Sequence, residues 1–107
     1  MAPILLSELA QSDLDDIWRY IAQERSPDIA DTVLARLYGA LEVLSRAPHI
    51  GKPRPEFLDT PRSFAVRPHM IFYEPLRNYG GIGVWRVLHG ARDLQKIVLR
   101  PFGAGKP

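Results

Sequence analysis

The chain has 107 residues, 46% hydrophobic and 24% charged, with no cysteine. That length allows one domain with a single modest core and leaves no room for a separate cofactor domain. The composition excludes a disordered tail, and the missing cysteine excludes disulfide scaffolds, thiolate metal sites and cysteine catalysis. A small enzyme, a binding module and a toxin-like inhibitor remain.

The formal charge of +2 conceals a division. Residues 1–51 carry four arginines against eight carboxylates, a net −4, while residues 52–107 carry ten Lys/Arg against four carboxylates, a net +6. A basic C-terminal half points to an acidic partner, nucleic acid or protein, or to a solvated arginine-rich surface. Met1–Leu6 is too short for a signal segment and lacks a basic start. No run reaches the length of a membrane span, so a cytoplasmic location is expected.

Pro3–Leu6 is a short apolar run, with Ile4, Leu5 and Leu6, that reads as a strand or a helix lead-in. Ser7, or Ser12 one turn later, can cap the helix that follows. Ala10, Leu14, Ile17, Trp18 and Ile21 share one face of that helix. Trp18 is expected in the core, with Tyr20 just off the stripe. Ser26-Pro27-Asp28 reads as a cap, an N1 proline and an early acid. A second stripe follows in Ala30, Val33, Leu34, Leu37, Leu41 and Leu44, ending before Pro48. Gly39 inside this helix suggests close backbone packing, since glycine weakens a helix by about 1 kcal/mol relative to alanine. Two amphipathic helices joined by a short connection form a hairpin.

Pro48–Pro55 is a stiff basic loop whose prolines exclude regular structure. Arg62–Arg67 alternates, with Phe64 and Val66 on one side. Met70–Glu74 favours a strand, and one of Phe72 and Tyr73 is expected to face outward. Asn78–Gly81 is a turn. Ile82–Leu88 returns, with Val84 and Arg86 on one face and Trp85 and Val87 on the other. Residues 91–99 can form a short helix or another strand, and residues 101–107 are expected to fray. The whole reads as a single α+β domain over residues 1–107. It is a two-layer β-α-α-β-β-β sandwich, with the helical hairpin on an antiparallel sheet and a short C-terminal element.

No metal constellation appears: His49, His69 and His89 lack ligand spacing. Gly80-Gly81-Ile82-Gly83 lacks the strand-to-helix setting of a dinucleotide site. No cofactor is expected.

Three strings carry a resemblance. The first is Leu14-x-x-Ile17-x-x-Tyr20-Ile21-Ala22. The second is Arg62-Ser63-Phe64 leading into Met70-Ile71-Phe72-Tyr73. The third, and most specific, runs from Trp85 through Arg86-Val87-Leu88-His89-Gly90-Ala91-Arg92-Asp93 to Leu94. Together they resemble the ParE branch of the RelE/ParE toxin superfamily, the plasmid stabilisation proteins, over about residues 4–96. The resemblance implies the RelE/ParE-like fold, with the first strand beside the last. It also implies the toxin of a type II toxin–antitoxin pair and a ParD-like antitoxin whose C-terminal segment folds on it. ParE-like relatives are associated with poisoning DNA gyrase, RelE-like ones with cutting mRNA on the ribosome.

RNA cleavage needs proton removal, proton donation and stabilisation of phosphate charge. RelE-like sites commonly use a tyrosine near the C-terminus. Here the last tyrosine is Tyr79 and the terminal aromatic is Phe102. Lys52 and Arg54 can bind phosphate, and His69 or His89 can serve as acid or base, which keeps the RelE-type mRNA interferase as the alternative. A weakly toxic or non-toxic interaction module with the same fold is a further one. The preferred reading is a non-enzymatic inhibitor of gyrase, without membrane or direct nucleic-acid binding. His89 is expected to bond the turn or Asp93, and Asp93 to cap the last element, with Gly90 between them. Arg62, Arg67 and Arg86 are expected to share the sheet face away from the helices and, with Arg92, to form a basic patch for the target or antitoxin. Tyr20 is a candidate antitoxin contact. The antitoxin segment is expected to be acidic and amphipathic.

Overall fold

The structure is a computed structural model and describes residues 2–77, 80–90 and 92–93. Strand β1 (Ile4–Leu6) runs straight into helix α1 (Glu8–Glu24). Ser7 makes the junction: its hydroxyl accepts the Ala10 N–H at 3.0 Å and donates to the Trp85 carbonyl at 2.8 Å. One side chain therefore satisfies an orphan helix donor and ties the helix start to the sheet. Ser12 lies inside the helix. Helix α2 (Pro27–Arg46) opens on Ser26, which accepts the Ile29 N–H at 3.1 Å, with Pro27 at the first position. No helix among the described residues is long and apolar enough to cross a membrane.

Four more strands follow: β2 (Lys52–Pro53), β3 (Arg62–Val66), β4 (His69–Pro75) and β5 (Ile82–His89). Their order in the sheet is β1-β5-β4-β3-β2. The hairpins are antiparallel, but β1 pairs parallel with β5, from Ile4 opposite Ile82 to Leu6 opposite Val84. The sheet is therefore mixed, with the first strand beside the last. The proline-rich loop is not wholly irregular, because β2 pairs with β3 for two residues. Pro53 is tolerated there because β2 is an edge.

The alternation expected along β5 breaks at its middle. Phe72 lies opposite Arg86 and Tyr73 opposite Val84, so β5 holds one extra residue at Trp85. Such a bulge re-aims every side chain beyond it. Val84 and Val87 consequently share the helix-facing core with Ile71, Tyr73, Leu14, Ile17, Leu37 and Leu41. Trp85 and Leu88 go to the opposite face with Phe72, packed by Phe57 and Met70. Phe72 and Tyr73 are both buried, one on each face. Burying a large apolar side chain contributes about 1.5–3 kcal/mol, so the second face is a small core of its own.

Two other expectations change. Trp18 is 37% exposed. Its indole N–H donates to Asp31 Oδ1 at 2.8 Å, so it clasps the outer side of the two helices instead of entering the core. Gly39 has nothing within 4 Å of where a Cβ would stand, so no backbone approach explains it. Close approach operates elsewhere. A Cβ on Gly51 would collide with the Tyr73 ring, and one on Gly81, whose φ is +80°, would collide with the Pro3 carbonyl. The expected terminal element at 91–99 and the tail at 101–107 lie outside the described residues, Arg92 and Asp93 excepted.

Candidate functional site

The expected arginine patch does not assemble as one surface. Arg86 turns to Asp13 of α1, beyond the point where β1 stops covering the edge of β5. Its Nε and one terminal nitrogen donate to the two carboxylate oxygens at 2.8 Å each, and Asp13 also accepts the Val87 N–H at 3.0 Å. Side-chain exposure is only 20% for Arg86 and 12% for Asp13. The hydrogen bonds to Asp13 push the Arg86 guanidinium above its ordinary pKa, against the effect of burial. A bidentate pair of this geometry is the strong form of an ion pair.

Arg62 is committed to the fold as well. It donates to the His49 and Gly51 carbonyls at 3.0 and 2.7 Å. Beside it the Tyr73 hydroxyl donates to the Pro48 carbonyl at 2.8 Å and accepts the Gly51 N–H at 2.9 Å. Burial pushes the Tyr73 phenol above its ordinary pKa. Two side chains from adjacent strands thus fasten the loop after α2. Arg67 is exposed in the turn after β3, about 16 Å along the strand from Arg62 at 3.3 Å per residue.

A groove gathers other residues instead. It has a volume of about 470 Å³ and lies between α1, the first half of α2 and the ends of β4 and β5. Ile17, Ile21, Ile29 and Val33 supply apolar walls, and Arg36, His69, His89, Arg92 and Tyr20 supply polar and aromatic ones. Local geometry explains the set. Ile17, Ile21 and Glu24 repeat at i, i+4 and i+7, as do Ile29, Val33 and Arg36, so each helix turns one side to the groove. His69 and His89 stand directly opposite each other across β4 and β5. Their rings meet edge to face with centroids 5.8 Å apart.

The end of β5 is closed by hydrogen bonds that place the imidazole. The His89 N–H donates to Asp93 Oδ2 at 3.0 Å, and the Asp93 N–H donates back to the His89 carbonyl at 2.9 Å. His89 Nδ1 accepts the Arg92 N–H at 3.1 Å, which leaves the proton of the neutral ring on Nε2. The Gly90 N–H donates to the Pro68 carbonyl at 2.8 Å, pinning the turn between β3 and β4 to the end of β5. Arg92 bends back so that its guanidinium lies 5.0 Å from the centre of the Tyr20 ring, within cation–π range. It also approaches Asp93 at 3.5 Å.

His69 is different. It is 6% exposed and has no hydrogen-bond partner among the described residues. Among the described residues no fully buried side-chain nitrogen lacks a partner, and His69 lines the groove. Burial, then the charges of His89, Arg92 and Arg36, hold it below the ordinary histidine pKa, opposed by Asp93. Among the described residues no group of three or more His, Asp or Glu could hold a metal ion.

Of the residues singled out in the sequence, Tyr20, His89, Gly90, Arg92 and Asp93 therefore meet at or beside the groove, while Arg62 and Arg86 are occupied elsewhere. Arg36, His69, Ile29 and Val33 were not singled out together. The helical spacing of the α2 residues was available, but the cross-strand partnership of the two histidines depends on a register that the bulge hides.

The comparisons agree with this fold. The family model for the ParE toxin of the type II toxin–antitoxin system, parDE, matches residues 4–94, and the chain belongs to that family. Toxin ParE1 of Caulobacter vibrioides is 33% identical over 89 residues, 83% of this chain and 90% of that one. Toxin ParE1 of Mycobacterium tuberculosis is 32% identical over 92 residues, 86% and 93% of the two chains. A solved structure described as the chromosomal ParDE TA system from P. aeruginosa superposes with a TM-score of 0.69 at 19% identity. It covers 83% of this chain and 96% of that one, a likeness of fold.

Proposed function

We propose that this ParE-family toxin acts by binding, that its target is DNA gyrase, and that a ParD-like antitoxin neutralises it through an acidic amphipathic segment. The match to the ParE family model over residues 4–94 carries this reading. The physical arrangement supports it. Arg62 and Arg86 are used to hold the loop and the sheet edge, whereas the groove joins apolar walls to cationic groups, the complement of an acidic amphipathic helix. Tyr20 and Arg92 remain antitoxin contacts in this reading, as parts of that groove. A cytoplasmic site of action follows from such a target.

One observation favours a second reading. Two imidazoles beside Arg36 and Arg92 could serve acid–base chemistry on RNA in the manner of a RelE-type interferase. Purified toxin decides between them. Gyrase supercoiling should stop, or cleaved DNA accumulate, while ribosome-bound mRNA stays intact. Unaffected gyrase at stoichiometric excess together with cut mRNA would overturn the proposal. Induced expression without antitoxin that leaves growth unchanged would instead make the chain a non-toxic module.

A further inference from the structure

The groove has a feature that the binding reading leaves unused. His69 is almost wholly enclosed and lines the groove, yet its ring makes no hydrogen bond with a described residue. Facing it across the strands, His89 has its Nδ1 occupied as an acceptor and keeps Nε2 as a donor. The ionisable groups around them are Glu24 and Arg25 from the end of α1, Arg36 from α2, and Arg92 with Asp93 after β5. Tyr20 stands beneath Arg92. Positive groups predominate at the histidine end, so a metal cation is disfavoured and an anion is favoured. The isoleucine and valine walls suit an amphipathic peptide better than a phosphodiester backbone, which offers them no apolar surface.

We propose that the groove seats a carboxylate from the antitoxin's acidic segment against the paired edges of His69 and His89, and that seating it draws a proton onto His69. This rests on the toxin–antitoxin reading above. In the free toxin burial and the neighbouring cations disfavour protonation of His69, opposed by Asp93. A carboxylate at the pair accepts a hydrogen bond from His89 Nε2–H and offsets the charge of a protonated His69. The proton comes from solvent, and no covalent bond changes. Binding that stabilises the protonated form must strengthen as pH falls. A rise of one unit in the His69 pKa on binding is a tenfold change in affinity.

The experiment is calorimetric titration of the toxin with the product of the reading frame adjacent to its gene, in buffers of different ionisation enthalpy. The expected result is net uptake averaging about half a proton between pH 8 and pH 6, with affinity rising about tenfold over that range. His69→Gln should abolish both effects. His89→Gln should weaken binding while leaving a pH slope. On the unsubstituted protein, the His69 ring protons followed by NMR should titrate at higher pH in the complex than in the free toxin, which reads the same event without a substitution. A complex that forms with no proton uptake, or that keeps its uptake in His69→Gln, overturns the carboxylate site and leaves the toxin–antitoxin reading standing. No complex at any pH overturns that reading itself. Competition for the groove by a single-stranded oligonucleotide would make the occupant a phosphate and the proposal wrong.

Discussion

On the rim of the sheet, Arg86 is held by two hydrogen bonds to Asp13, and Arg62 by two to backbone carbonyls. In the groove, Arg36 makes no hydrogen bond or ion pair with any described residue, and Arg92 lies over Tyr20 beside Asp93. The same residue type therefore serves two ends. At the rim its guanidinium is engaged inside the chain, by a carboxylate at Arg86 and by backbone carbonyls at Arg62, and holds the fold. In the groove the exposed Arg36 is left available to a partner, while Arg92 is shared with Tyr20 and Asp93. Net charge by sequence segment does not separate these uses, because Asp13 belongs to the acidic half and Arg86 to the basic one.

The largest effect expected from breaking this division is at Asp13. Asp13→Ala leaves a half-buried guanidinium and the Val87 N–H without their carboxylate. The loss should be about 3–5 kcal/mol, read as a lower midpoint in denaturant unfolding. At the other end of the rim, Tyr73→Phe removes the clasp on the loop after α2 and strands the buried Gly51 N–H. About 1–3 kcal/mol should go, with little change of shape. An unaltered melting curve would show that Arg62 alone holds the loop.

A control outside both regions runs the other way. Gly39→Ala meets open space in the middle of α2 and should stabilise the protein by about 0.5–1 kcal/mol. Thermal melting checks the sign. The groove itself should show in the free toxin's response to pH. His69 is held below the ordinary value of 6.5 in the folded state, so the unfolded chain binds the proton more readily. The contribution is fully present above that value and is lost as pH falls through it toward the depressed folded pKa. His69→Gln should flatten this part of the stability profile, and an unchanged profile would mean that the ring titrates normally.

Much of the fold was legible because it rests on periodicity and caps. The two helical stripes, the Ser26-Pro27 start and the antiparallel run from β3 to β5 follow from local residue patterns, whereas β1 beside β5 is implied only by the family resemblance. Trp18 was misplaced because it lies at the flank of the α1 stripe, where the neighbouring helix offers Asp31 as a partner that periodicity does not reveal. The assignment of Val84 and Val87 to opposite faces missed the bulge, a one-residue event that strict alternation cannot signal. The close packing that a glycine inside a helix suggests is absent at Gly39, which has open space around it. The site was half legible. The string from His89 to Asp93 marked one wall of the groove, while the opposite wall, Ile29, Val33 and Arg36, belongs to a helix far away in sequence. Joining them takes the packing of α2 against the sheet, which is a tertiary fact.

The division between rim and groove can be tested with one pair of charge reversals. Arg36→Glu and Arg67→Glu are each to be titrated with the product of the adjacent reading frame, after confirming that both melt like the unsubstituted protein. Both side chains are exposed, and only Arg36 lies in the groove. The expected result is a loss of at least about tenfold in affinity for Arg36→Glu, in line with like charge opposing an acidic partner, and almost none for Arg67→Glu. The reverse order, or equal losses, would contradict the groove as the surface that takes the antitoxin.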